Sequence, residues 1–339
     1  MLYRSKAPLR IGFAGGGTDV SPYCNIFGGA ILNAAISLYA RSSIQLINEP
    51  SIIIEATGCE AEIHPLSAPI PINGSFSFAK GVINRIDKDF GLPQQGFRLF
   101  SSVDVPIGSG LGTSSTLVVS MLGAFTEYMK LPLGEYDMAR YAYEIERNDL
   151  GFAGGRQDQY AATFGGINFM EFLEDNTVIV NPLRIRPDYL YEMENNLVLY
   201  YTSVSRQSAT IIKEQQRNVT AQDETSVTAM HHLKEQAILM KEALLKGNLD
   251  EIGAILDYGF REKRKMAANI SNPFIEEIYE AAKKAGASGG KISGAGGGGF
   301  MFFYCPGNTR YAVEAALATF GGQVFRFSFA QHGQISWAI

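Results

Sequence analysis

Cysteine is scarce in this chain of 339 residues: Cys24, Cys59 and Cys305 are scattered, odd in number and not at metal-ligand spacing. That pattern argues against a disulfide framework and reads as reduced thiols in a cytoplasmic protein. No apolar run is long enough to span a bilayer, so no membrane partner is expected. The opening Met1-Leu2-Tyr3-Arg4-Ser5-Lys6 lacks the apolar core of a signal peptide. Positive charge is not in excess: 29 Lys and Arg against 34 Asp and Glu give a net charge of −5. The general basic footprint of a nucleic-acid binder is therefore missing, and no nucleic-acid partner is expected. There is no internal repeat and no low-complexity tail. His231-His232 have no carboxylate at matching spacing, so a metal site there is not expected. Lys263-Arg264-Lys265 reads as a short, solvated charge run.

What is present is an ordinary globular composition, 46% hydrophobic and 19% charged. The length allows one large or two ordinary domains. Glycine, at 36 residues, clusters at 12–17, 108–112, 151–155, 165–166 and 286–299. Uneven spread of this kind points to close backbone approaches rather than to a linker.

Alternating and apolar patterns predict strands over 43–54, with a hairpin turn at Asn48-Glu49-Pro50-Ser51, and over 97–105, 167–172, 177–180, 197–202, 300–304 and 323–329. Helical spacing is expected over 78–89, 117–129, 135–148, 208–246 and 249–266. A further helix should start at Asn272-Pro273, with Asn as cap and Pro at its first position. Residues 60–75 read as irregular. Asn181 to Pro187 is the candidate domain boundary, dividing the chain into 1–187 and 188–339.

The stretch Pro106-Ile107-Gly108-Ser109-Gly110-Leu111-Gly112-Thr113-Ser114-Ser115-Thr116 lies between a strand and a helix. Glycines let a ligand approach the backbone, and N–H groups at a helix start attract an anion. No Lys precedes the Ser pair, so this is not the Walker loop, and the spacing does not fit the dinucleotide fingerprint. By itself the stretch reads equally as a tight capped turn.

Two further glycine motifs accompany it: Ala7-Pro8-Leu9-Arg10 running to Gly15-Gly16-Gly17-Thr18-Asp19, and Lys291-Ile292-Ser293-Gly294-Ala295-Gly296-Gly297-Gly298-Gly299-Phe300. Together the three resemble the GHMP kinase superfamily, in this order and across nearly the whole chain. The resemblance implies an α+β, two-domain GHMP kinase fold: an N-terminal, ATP-binding half like domain 2 of ribosomal protein S5, and a ferredoxin-like C-terminal half with extra helices. It implies ATP and Mg²⁺ as cofactors, with Pro106, Gly108, Ser109, Gly110, Leu111, Gly112, Thr113, Ser114 and Ser115 as the nucleotide cradle. Ser114 and Glu146 are the implied Mg²⁺ ligands, with Glu144 as the competitor of Glu146. Asp158 is implied as the catalytic carboxylate that receives or stabilises the attacking hydroxyl, and Arg10 as its partner. Without the resemblance, Asp158 is a turn residue, Arg10 forms a strand-edge salt bridge, and Asp19 caps a helix with Thr18.

Local features resemble the bacterial heptose kinases within this superfamily, which act on the anomeric oxygen of D-glycero-D-manno-heptose 7-phosphate. These include Gly15-Gly16-Gly17-Thr18-Asp19-Val20, Ala142-Tyr143-Glu144-Ile145-Glu146-Arg147, Gly155-Arg156-Gln157-Asp158-Gln159-Tyr160 and Tyr201-Thr202-Ser203-Val204-Ser205-Arg206. The expected partners are then a sugar phosphate and ATP. Gly16, Gly17, Thr18, Asp19, Arg206, Lys291 and Gly296 are the expected substrate residues, Arg206 and Lys291 serving the substrate phosphate. Fucokinase domains share much of the pattern, and a non-catalytic sugar sensor is the other alternative. A monomer or homodimer is expected.

Overall fold

The computed structural model describes residues 1–67, 69–204 and 208–339. In chain order it runs β1 (Leu2–Ala14), α1 (Tyr23–Phe27), β2 (Gly29–Leu46), β3 (Ser51–Ala56), β4 (Glu62–Pro65), α2 (Ser77–Phe90), β5 (Phe97–Val103) and α3 (Thr113–Met129). Then follow α4 (Glu135–Glu144), a π-helical turn (Ile145–Asp149), α5 (Gln157–Phe164), β6 (Ile167–Phe172), β7 (Val178–Pro182), α6 (Pro187–Asn196) and β8 (Leu197–Tyr201). The chain ends through α7 (Ser208–Thr220), α8 (Glu224–Lys246), α9 (Glu251–Lys263), α10 (Pro273–Lys284), β9 (Gly289–Ile292), β10 (Phe300–Tyr304), α11 (Arg310–Ala318), β11 (Gln323–Phe325) and β12 (Ile335–Ala338).

The α+β class is observed, in two sheets. In the first, the order is β12-β1-β2-β5-β3-β4, with β6 also on β2 and β7 on β6. Strand β2 is long enough to serve both: its first half pairs with β6 and its second half with β5. Helix α3 packs across β1 and β2, and its apolar residues Val118, Leu122 and Phe125 are buried with Ile44, Phe97 and Leu99. The second sheet is antiparallel, ordered β11-β8-β10-β9. Its centre is the apolar pentad Phe300–Tyr304, buried throughout, as a strand covered on both faces must be. The 187/188 division separates the two sheets in chain order, except that β12 returns to pair with β1.

Several local expectations change. No hairpin joins β2 and β3, because β5 lies between them and pairs in parallel with β3. The 60–75 stretch holds strand β4 on the sheet edge. The 208–246 pattern is two helices, divided where Asp223 accepts a bond from the Ser226 N–H and caps α8. The strand expected over 323–329 stops at Phe325, and the chain crosses to the first sheet, where Phe329 bridges Ile36. Asn272 caps α10 as expected, accepting from the Ile275 N–H, with Pro273 next to it.

Candidate active site

A cavity of about 540 Å³ opens beside β1, α5 and the start of α3. Its chemistry begins with Arg10, on a strand whose Leu9 and Ile11 point into the core. Period-two alternation puts Arg10 on the opposite face, towards α5. It is only 3% exposed. Its Nε donates to Asp158 Oδ1 at 2.6 Å, and Nη2 lies 2.6 Å from the same oxygen. Its Nη1 donates to the Gly110 carbonyl at 2.7 Å. One guanidinium thus ties the carboxylate to the glycine loop, using the fixed fork that Arg offers and Lys does not.

The loop needs its glycines. Gly108, Gly110 and Gly112 have φ of 79°, 89° and 77°, a region costly to residues with a Cβ. Gly112 turns the chain into α3. A Cβ on Gly110 would stand 2.7 Å from the Ser293 carbonyl. There the third glycine motif meets the loop: Ser293 Oγ donates to the Gly110 carbonyl at 2.8 Å, and the Phe300 N–H to the Ser109 carbonyl at 2.9 Å. Gly108, Gly110, Gly112, Thr113, Ser114 and Ser115 line the cavity; Pro106, Ser109 and Leu111 do not. Leu111 is core, Pro106 faces solvent, and Ser109 is buried with its hydroxyl unpartnered among the described residues.

Glu144 and Glu146 separate cleanly. Glu144 accepts from Arg85 in a partly exposed ion-pair cluster with Asp89 and Asp149. Glu146 is 1% exposed and lines the cavity. The helix expected through 148 gives way to a π turn from Ile145, the kind of local insertion that redirects side chains at functional sites. Glu146 accepts from Gln159 Nε2, which also donates to Ser115 Oγ at 3.0 Å. Burial raises the Glu146 carboxyl above its ordinary range, against the pull of neighbouring Arg147.

On the other wall, Gly16, Gly17 and Asp19 line the cavity. Asp19 is buried, and its Oδ2 accepts from the Arg156 and Gln157 N–H groups at 2.9 and 3.0 Å. It therefore caps α5 from a distance and fixes the residue next in line, Asp158. Burial raises the Asp19 carboxyl above its ordinary range. Thr18 is absent from the lining; its Oγ1 donates to the Gly15 and Ala30 carbonyls, bracing the turn. Gly296 is likewise off the cavity, with its Cα packed against Ile270. Arg206 lies outside the described residues. Lys291 lines the cavity, buried, with one long bond of 3.4 Å to the Phe13 carbonyl. Burial holds its ammonium well below its ordinary value, with Lys263 and Arg10 pushing the same way.

Lys263 was expected in solvent. It is instead 3% exposed and lines the cavity. A legible signal existed: Ile252, Leu256 and Phe260 form one buried stripe of α9, and Lys263 continues it three residues on. Arg264 and Lys265 turn away to Glu276 and Glu262. Gln215 follows the same logic on α7, between buried Ile211 and Val219.

Two family descriptions match the chain: GHMP kinases N terminal domain over residues 77–166, and GHMP kinases C terminal over 240–323. A Campylobacter jejuni protein named D-glycero-alpha-D-manno-heptose 7-phosphate kinase is 45% identical over 340 residues, 99% of each chain. A crystal structure described as a D-glycero-D-manno-heptose 1-phosphate kinase from Bacteriodes thetaiotaomicron superposes with a TM-score of 0.85 at 43% identity, covering 99% of each chain. The L-fucokinase/L-fucose-1-P guanylyltransferase of Bacteroides fragilis is 27% identical over 88% of this chain and 34% of its own length.

Proposed function

The chain belongs to the GHMP kinases, and from that premise we propose that it transfers the γ-phosphoryl of ATP to the anomeric hydroxyl of D-glycero-D-manno-heptose 7-phosphate. The products are the heptose 1,7-bisphosphate and ADP. The observation that carries this reading is the Arg10 fork, which joins Asp158 on one side to the Gly110 carbonyl on the other. It supports a geometry with the nucleotide phosphates on the loop and the acceptor hydroxyl at Asp158.

Phosphoryl transfer asks for alignment and charge neutralisation more than for covalent help. Asp158 accepts a hydrogen bond from the anomeric hydroxyl, aiming its lone pair at the γ-phosphorus. The new O–P bond forms as the bond to the β-phosphate oxygen breaks, and the hydroxyl proton leaves through Asp158. Arg10 orients that carboxylate through its fork and faces the transferring group with positive charge. Ser114 and Glu146 offer a hydroxyl and a buried carboxylate to the cavity, oxygen donors that fit an ion such as Mg²⁺ arriving with the nucleotide and keeping its waters. No group of three metal-ligating side chains exists among the described residues, so the donor set suits a nucleotide-borne ion better than a protein-only cage. When bound, the ion supplies charge neutralisation on the phosphates.

The two heptose relatives are named for phosphates at opposite ends of the sugar, and the kinase half of the fucokinase relative's name gives a sugar without one. A panel of heptose 7-phosphate, heptose 1-phosphate, unphosphorylated heptose and fucose, each with ATP and Mg²⁺, tests the reading. Turnover of heptose 7-phosphate in preference to the rest is expected. Turnover of fucose, or of heptose 1-phosphate, without turnover of the 7-phosphate would refute it.

A further inference from the structure

The cavity contains more positive charge than nucleotide alignment and Asp158 account for. Arg10 is neutralised by Asp158. Lys263 has no hydrogen bond and no carboxylate within ion-pair distance among the described residues, although it is buried. A buried ammonium without a partner is expensive, and in a folded protein it marks either a strained core or a place for an anion. Its position favours the anion. A Cβ on Gly16 would stand 3.5 Å from Lys263 Nζ, so the ammonium lies against the Gly15–Gly17 turn.

A second observation falls at the same place. Gln215 is 3% exposed, lines the cavity, and its Nε2 has no hydrogen-bond partner among the described residues. A Cβ on the adjacent Gly17 would stand 3.7 Å from Gln215 Oε1. Buried polar groups are nearly always bonded, so an orphan amide facing a cavity points to a ligand atom. Lys263 and the orphan Nε2 are both donors. The acidic group on this wall, Asp19, spends Oδ2 on two N–H groups and Oδ1 on Gln157 Nε2 at 3.3 Å. The Lys263 ammonium and the Gln215 amide nitrogen offer donors that suit a phosphate, which brings oxygens and negative charge only. Lys291 lines the same cavity.

We propose that Lys263, with Gln215, is the receptor for the phosphate the acceptor sugar already carries. Resting on the sugar-phosphate kinase reading, it assigns specificity for the phosphorylated acceptor to the α7–α9 wall. In this arrangement the acceptor is held at two points, its phosphate at Lys263 and its anomeric hydroxyl at Asp158.

Calorimetric titration with a non-hydrolysable ATP analogue present tests this directly. Wild type, Lys263→Met and Lys263→Arg are titrated with heptose 7-phosphate and with unphosphorylated heptose, and each protein with the analogue alone. Wild type should bind the 7-phosphate better than the unphosphorylated sugar. Lys263→Met should cut that preference at least tenfold, and Lys263→Arg should restore part of it. Apo Lys263→Met should melt no lower than wild type, since it loses an unpaired buried charge. The receptor is overturned if wild type shows no preference for the phosphorylated sugar. It is also overturned if Lys263→Met weakens the analogue as much as the sugar phosphate, or if the apo variant is destabilised, which marks a structural lysine. Wild type that binds heptose 7-phosphate tightly but does not phosphorylate it would refute the kinase reading alone, leaving the receptor to stand on the variant's loss of binding.

Discussion

At the scale of residues, we propose that the pair Arg10 and Asp158 carries the chemistry, with Asp19 holding the N–H groups of Arg156 and Gln157 beside it. Asp158→Ala should lower kcat by about 10³-fold, within the range for loss of a positioned acid–base group, while the dissociation constant for ATP stays within about threefold; rapid-quench and equilibrium binding measurements check the two halves. Lys263 gives a pH signature. Burial pushes it down to about 8 from 10.5, opposed by Asp19 and reinforced by Arg10, with Lys291 facing it from β9. Only its protonated form attracts a phosphate, so kcat/KM for the sugar phosphate should fall above about pH 8, and this limb should vanish in Lys263→Met. The stability sign follows. The unfolded chain binds more protons than the folded one between pH 8 and 10.5, so wild type should gain stability relative to Lys263→Met across that window and show its full deficit below it. The motifs single out Arg10 and Asp158, and the structure brings the two side chains together. Lys263 was not legible in the sequence, because a Lys-Arg-Lys run looks solvated until the buried stripe of α9 is followed to its end. Thr18 and Gly296 were assigned to the substrate from their motifs, yet one braces a turn and the other packs on Ile270.

At the scale of elements, the glycine loop works as one half of an interlock. Its partner is the segment between β9 and β10, which meets it backbone to backbone at Gly110 and Ser293. Gly110→Ala would force a side chain into the left-handed region, at about 1–2 kcal/mol, and set its Cβ against a carbonyl. Nucleotide affinity should fall at least tenfold in a binding titration, with the melting temperature also lowered. The π turn after α4 carries Glu146 into the cavity lining, while Glu144 pairs with Arg85 outside it. Glu146→Gln should raise the Mg²⁺ concentration for half-maximal rate about tenfold or more, whereas Glu144→Gln, at the surface with Arg85, should leave it within about twofold. A metal titration at fixed ATP reads both. Periodicity found most strands and helices, but it cannot see which strands pair: the turn at 48–51 resembles a hairpin, yet β5 intervenes. Nor does it register a one-residue change from α to π winding.

At the scale of the whole molecule, the two sheets line one cavity. The first supplies Arg10, and the second supplies Lys291 and, through Ser293 and Phe300, the bonds that brace the loop. Strand β12 closes the chain back onto β1, the strand carrying Arg10. Coupling of this kind predicts one cooperative thermal transition, raised by ATP with Mg²⁺ and by the sugar phosphate, each by about 2.7 kcal/mol at a hundred times its dissociation constant. Two separate transitions, only one of them ligand-sensitive, would contradict it. The order of the three glycine motifs was enough to foresee the architecture, but not that their loops touch, since contact between 110 and 293 is a property of the folded chain. The central claim is the acceptor itself. Phosphorus NMR of the purified protein with ATP, Mg²⁺ and D-glycero-D-manno-heptose 7-phosphate should show a new anomeric phosphate beside the retained 7-phosphate, at a higher kcat/KM than with any unphosphorylated sugar. No anomeric phosphate on that substrate, with ready phosphorylation of fucose, would contradict it.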